Sequence, residues 1–281
     1  MMPVAARRFS HPLHNNSGRS RISAADIGLA LSAWLLIIPG ARAAGRCTGT
    51  SGEIAVDRPD VTNSSVVVPD GSLQVENGIN LTDQSAAKVS DGTNTRLRLG
   101  IGDCTEIVMD LPDYSAVISG SAPSGFSNVT PAIKHQIGPL PGDFDLSATV
   151  GVGLPTGTPS VTGQGFQPYL QFPWSHDNGG GWQLSGMFTT FWYPSESRRH
   201  ALFQPTFVIE RDVTPHADLF VEYVGGYPSH GAPEQQINLG GASRVTRLQQ
   251  VDFHLAVGLN PQAPHYEIGV GYSIRWDHLI R

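Results

Sequence analysis

The sequence predicts an all-β fold, a transmembrane antiparallel up-and-down β-barrel of about 12 strands, on three observations. Apolar residues alternate with small or polar ones over about a dozen segments, the connections between those segments alternate in length, and Trp and Tyr gather near segment ends. The final segment shows the pattern most plainly. Tyr266, Ile268, Val270, Tyr272, Ile274 and Trp276 make one face, aromatic at its ends and mainly aliphatic between, and Glu267 and Arg275 lie opposite. Period-two alternation places the two faces of a strand in different surroundings, and this profile suits a strand that crosses a bilayer. A secreted β-sandwich also alternates and is the alternative fold.

From the N-terminus, residues 1–43 read as an export signal: Arg7, Arg8, Arg19 and Arg21 precede an apolar run from Ile27 to Ile38, and Ala41-Arg42-Ala43 offers a cleavage site. The run is short for a spanning helix, so a retained anchor is the weaker alternative. Residues 44–72 form a polar periplasmic segment that packs into the barrel mouth or remains a free arm, and 73–281 form the barrel. Arg58, between Asp57 and Asp60, is expected to make local turn contacts.

Strands are expected at 73–82, 94–101, 104–111, 126–137, 143–154, 164–174, 181–192, 201–211, 216–226, 234–244, 249–259 and 265–276. An even number brings both ends of the barrel to one side, and most segments have the roughly 9–11 residues that a tilted strand needs to cross. The connections at odd positions are on average longer than those at even positions, from 11 and 14 residues for the first and third to 2 and 5 for the second and fourth. Short periplasmic turns and longer outer loops produce that rhythm, whereas Greek-key crossovers in a sandwich do not. Trp174, Trp182 and Trp276 fall at periplasmic ends and Trp192, Tyr227 and Tyr266 at outer ends, as aromatic girdles require.

Charged residues make up 15% of the chain and glycines number 32, low and high for a soluble domain and both suited to a barrel with a lipid-facing exterior. Removing the leader's five arginines and one aspartate leaves 13 basic and 23 acidic residues. With only Lys88 and Lys134 as lysines, a nucleic-acid partner is excluded. Cys47 and Cys104 meet oxidising conditions in an exported chain, which leaves a bridge between them open. Neither a metal site nor a cofactor is implied.

With the apolar set turned to lipid, the lumen receives Glu76, Arg96, Arg98, Glu106, Asp110, Lys134, Glu210, Asp218, Glu222, Asp252, His254, Glu267 and Arg275. The structural reading of these residues is a pairing network. The functional one is a polar pore in which Glu210, Asp218, Glu222, Asp252 and Glu267 confront Arg96, Arg98 and Arg275 and bias which solutes pass. Catalytic residues are not expected. Ser175-His176-Asp177 and Ser229-His230 fall in connections, there is no G-x-S-x-G elbow, and Gly100-Ile101-Gly102 and Gly151-Val152-Gly153 are not followed by helices.

The chain resembles the outer-membrane barrels of the phenol-degradation MetA-pathway type through Asp57-Arg58-Pro59-Asp60, Gly153-Leu154-Pro155-Thr156-Gly157, Glu222-Tyr223, Asp252, and the closing Gly269-Val270-Gly271-Tyr272-Ser273-Ile274-Arg275-Trp276. The resemblance covers nearly all of the mature chain and implies a bacterial outer-membrane transporter. Its expected partners are outer-membrane lipid, a small-molecule solute and the barrel-assembly machinery. Residues Asp277–Arg281 follow Trp276, a departure that either weakens insertion or makes Trp276 an internal version of the terminal aromatic that the machinery reads. The leading expectation is thus a channel or transporter, porin-like, for small solutes, aromatic or apolar ones included. A lipid-active enzyme and a barrel with only a structural or surface-binding role are the alternatives.

Overall fold

The computed structural model describes residues 47, 52–142, 144–194 and 199–279, so the expected export signal lies outside the described residues. The chain runs β1 (Leu73–Gln84), β2 (Ala87–Gly100), β3 (Thr105–Asp110), β4 (Tyr114–Gly120), β5 (Gly125–Phe126), β6 (Thr130–Leu140), β7 (Phe144–Gly153), a one-turn helix α1 (Pro159–Thr162), β8 (Gln167–Asp177), β9 (Trp182–Pro194), β10 (Arg199–Thr214), β11 (Ala217–Pro228), β12 (Glu234–Thr246), β13 (Gln249–Gly258) and β14 (Tyr266–Trp276). Every pairing is antiparallel between neighbours in the order β1-β14-β13-β12-β11-β10-β9-β8-β7-β6-β3-β2, and the β1–β2 pairing closes the ring at 12 strands. Closure removes the open edges that a flat sheet would leave in a membrane.

Leu73 pairs with Trp276, so the barrel's first and last strands meet at one rim, here the near rim. Its turns are short, with Pro215–His216 and Arg247–Leu248 joining β10–β11 and β12–β13. The opposite, far rim carries the long β3–β6 and β7–β8 connections.

The far rim also departs most from expectation. The connection expected over 83–93 is a tight turn at Ser85–Ala86, and the expected strand 94–101 is the second half of a longer β2. The first half of β2 pairs with β4, which lies in the expected loop 112–125, and the strand expected from 126 begins at Thr130. Residues Ala87-Lys88-Val89-Ser90-Asp91-Gly92 alternate with polar groups on both faces, and such a strand carries no lipid signature in sequence.

Burial along the strands is inverted relative to a soluble protein. In β14, Ile268, Val270, Tyr272 and Trp276 are exposed, whereas Glu267, Ser273 and Arg275 are buried. Elsewhere Ile79, Ile133, Val150, Phe172, Leu219 and Phe253 are exposed, while Gln74, Glu76, Arg98, Lys134, Thr206 and Glu222 are buried. An apolar exterior around a polar interior is the arrangement of a barrel that spans a bilayer.

The Gly153–Gly157 motif has a structural task at the far rim. Between β5 and β6 the ladder is interrupted, and the motif bonds along the gap: Leu154 N donates to Val129 O, Gly157 N to Asn128 Oδ1 and Thr158 N to Phe126 O. A Cβ on Gly157 would lie 2.6 Å from Phe126 O, so only glycine allows this approach.

Candidate functional site

Residues 52–72 enter the lumen from the near rim and return to it. Ile54 N donates to Arg247 O in a near-rim turn, and Asp70 forms a bridge with Gly100 at the near end of β2. Between these points the segment bonds to side chains around the interior, so it is a plug rather than a free arm.

Asp57 is its electrostatic anchor. Its carboxylate lies 3.0 Å from Arg96 Nη1, 3.2 Å from Arg98 Nη1 and 3.8 Å from Lys134 Nζ, and its own N–H donates to Glu76 Oε2. The three cations also pair with acids of their own wall. Arg96 grips Asp110 through two hydrogen bonds of 2.7 and 3.0 Å, Arg98 reaches Glu76 and Glu106, and Lys134 lies 3.5 Å from Glu106. Buried charges are tolerable only when paired in this way.

Arg58 makes no local turn contact of the kind expected for it. Its side chain lies in a slot between Gly78 of β1 and Gly271 of β14, which are register partners, and a Cβ on either would overlap the guanidinium. There it reaches Val270 O and lies 3.5 Å from Asp252. Three residues further along the plug, Glu222 at mid-strand of β11 receives Val61 N (2.9 Å to Oε2), Thr62 N (2.9 Å) and Thr62 Oγ1 (2.8 Å), besides Asn238 Nδ2. Asn63 bonds both Arg96 and Gln171, and Ser65 bonds Ser175.

The layer Arg96–Asn63–Gln171 separates two cavities. On the near side a cavity of about 270 Å³ is lined by Asp60, Asn63, Glu210, Asp218, Arg244 and Gln250. On the far side one of about 90 Å³ is bounded by Arg96, Asn128 and Gln171 and by the rings of Tyr169, Phe191 and Tyr193. These rings form a continuous inward wall, with centroids 5.7 Å apart for Tyr169–Phe191 and 5.9 Å for Phe191–Tyr193.

All the lumen candidates lie on the inward face, but their arrangement corrects the expected confrontation of opposite charges across an open pore. Arg96 and Arg98 are held by their own wall and by Asp57, and Arg275 pairs with Asp277 and donates to Glu53 O. Among the late acids, Glu222 and Asp252 meet the plug, while Glu267 receives Thr82 Oγ1 and lies 3.5 Å from His254. Only Glu210 and Asp218 of the acidic candidates line the near cavity. The plug fills the space in which the two sets were expected to face each other.

The residues missed in sequence are Asp60, Asn63, Gly78, Tyr169, Phe191 and Tyr193. Tyr169 shares the parity of Gln167 and Gln171, so strict alternation is the signal that could have placed it inward. Cys47 and Cys104 form a disulfide with Cα atoms 5.5 Å apart, which settles the pairing that the sequence left open. Ser175 and His176 occupy opposite faces of β8, the serine bonded to Ser65 and the imidazole stacked on Phe144, so they do not form a nucleophile–base pair.

Asp60 makes seating of the plug sensitive to pH. Burial and the neighbouring carboxylates of Glu222 and Glu210 push its carboxyl well above the usual range. The seated plug therefore holds a proton that a released one, with an ordinary aspartate near 3.9, gives up; seating weakens as pH rises from about 4 through the raised value. Asp57 has the opposite sign. Burial opposes its ionisation, but Arg98, Lys134 and Arg96 hold its carboxyl well below the usual range, so its contribution is present above about pH 4 and is lost only in stronger acid. Membrane conductance is expected to grow as pH rises above about 4, the ordinary aspartate range, and an Asp60→Asn variant is expected to lack that growth. An unchanged profile in the variant would remove Asp60 from this role.

The family model described as "Putative MetA-pathway of phenol degradation" matches residues 56–276. By structure, the chain is similar to the COG4313 outer membrane channel from Pseudomonas putida F1, at 15% identity and a TM-score of 0.60 over 78% of this chain and 100% of that one. It is also similar to the NanC porin, at 9% identity and a TM-score of 0.51 over 72% of this chain and 98% of that one. No curated relative matches the chain by sequence.

Proposed function

The chain belongs to the phenol-degradation MetA-pathway family, and from that membership and the lumen's geometry we propose that it is an outer-membrane channel passing small solutes, aromatic ones among them. The observation that carries this reading is the pair of cavities within one polar lumen, with the rings of Tyr169, Phe191 and Tyr193 on the wall of the far one. Inward aromatic rings offer a flat solute edge or face contacts, while Asn128 and Gln171 supply polar groups beside them. The similarity in fold to a channel and a porin supports the same reading. The near rim, with its short turns, is periplasmic and the far rim faces outward.

The test is flux through folded protein in lipid vesicles, with folding checked by the migration difference between boiled and unboiled samples. Benzyl alcohol is expected to enter faster than an aliphatic alcohol of equal size, and a Tyr169→Ala, Phe191→Ala variant is expected to lose that preference. Absence of flux for every solute from a folded barrel would overturn the channel reading; equal flux for both alcohols would overturn the aromatic preference alone.

A further inference from the structure

We propose that the Cys47–Cys104 disulfide is a redox-sensitive tether that keeps the plug seated, so that a periplasmic dithiol opens the channel by reducing it. This rests on the channel reading above.

Three observations lead here. The plug is held at both ends on the near rim: Leu73 begins β1 within the ladder, and Cys47 is fixed to the β2–β3 turn by the bond to Cys104, 57 residues away in sequence. The plug residues that touch the interior, from Glu53 to Val68, lie inside the loop that this bond closes. Closing a loop restricts the conformations open to a released segment, so the tethered plug returns to its seat more readily than a free one.

Second, the middle of the plug is held mainly by polar contacts, with Ile54, Val67 and Val68 as buried apolar residues towards its two ends. Asp57, Arg58, Val61, Thr62 and Asn63 are held by ion pairs and hydrogen bonds to wall residues, and water can replace each of these once the segment has somewhere to go. Covalent restraint therefore matters more here than it would for a segment held by apolar burial.

Third, the two sulfurs differ in access. Cys47 is buried, whereas Cys104 is only partly covered and follows Ile101-Gly102-Asp103, all exposed on the near-rim turn. A thiolate approaching from the periplasm meets Cys104 first. Its attack on Cys104 Sγ breaks the S–S bond and expels Cys47 as a thiolate; the second thiol of the reagent then resolves the mixed disulfide. Two electrons and two protons pass to the chain, giving two cysteine thiols and one oxidised dithiol.

The experiment uses the folded, oxidised chain in planar bilayers, with dithiothreitol added on the near-rim side. Mean current is expected to rise several-fold on reduction and to fall again when the thiols are reoxidised. A Cys47→Ser, Cys104→Ser variant, shown to be folded by its gel migration, is expected to carry the higher current with or without reductant. Alkylation of Cys104 after treatment confirms that the bond has been cut. A cut bond with unchanged current, or a bond that stays intact in the folded barrel, overturns the proposal. If instead a Glu222→Ala barrel conducts while reduction changes nothing, the channel reading stands and the tether falls. If no form conducts, both fall.

Discussion

Replacing Asp57 with alanine is expected to release the plug while leaving the 12-stranded ring folded. The carboxylate lies within ion-pairing distance of Arg96, Arg98 and Lys134 and accepts Ser64 N at 2.9 Å, so one side chain ties the segment to β2 and β6 together. Removing one member of a buried, hydrogen-bonded ion network typically costs about 3–5 kcal/mol. The strands do not bear that cost. Without Asp57 the wall still holds Arg96, Arg98 and Lys134 beside Glu76, Glu106 and Asp110, three cations with three carboxylates. The loss therefore falls on seating, where about 3–5 kcal/mol shifts the seated-to-released ratio by roughly two to four orders of magnitude. Limited proteolysis of reconstituted protein should cut within 52–72 in the variant and spare those residues in the parent, with the heat-modifiable band retained by both. Equal protection of the segment in both would show that Asp57 does not anchor it.

The contrast between what was legible in sequence and what was not follows from parity. Wherever a strand separates lipid from lumen, alternation reports both faces, which is why Glu76, Arg98, Lys134, Glu222, Asp252, Glu267 and Arg275 could be placed inward from sequence alone. The first half of β2 and β4 stand beyond the level where one face must be apolar, and they read as loops. The plug is invisible to periodicity altogether. Its residues make no ladder, and their partners lie up to 222 positions away, as between Glu53 and Arg275. Two signals did exist. Gly78 and Gly271 occupy inward positions where a charged barrel wall leaves space for something, and Asp57-Arg58-Pro59-Asp60 places three charges just before a strand that could not use them. Apart from Gly153–Gly157 at the far rim, the motifs through which the chain resembles its family meet here, since Asp57-Arg58-Pro59-Asp60 lies in the plug and Glu222, Asp252 and Gly271 belong to its seat.

A Glu222→Ala substitution is expected to open the barrel by a second route, from the wall rather than from the plug. Glu222 is fully buried and takes two backbone donors and one hydroxyl from Val61 and Thr62. Alanine leaves both N–H groups facing a gap, and each unsatisfied buried donor costs about 1–3 kcal/mol. Thr62 Oγ1 keeps Thr206 Oγ1 as a partner, so the hydroxyl adds little to the loss. Glutamine is the informative control, because it keeps one acceptor oxygen but brings an NH₂ group towards donors; its effect should fall between those of glutamate and alanine. Conductance of folded protein should rise in the order Glu, Gln, Ala. Removing the Glu222 charge also relieves one of the forces that raise Asp60, so the growth of conductance with pH should flatten in both variants. Conductance that rises in the alanine variant with the parental pH profile intact would separate the two effects and place the pH response elsewhere than in the Asp60–Glu222 pair.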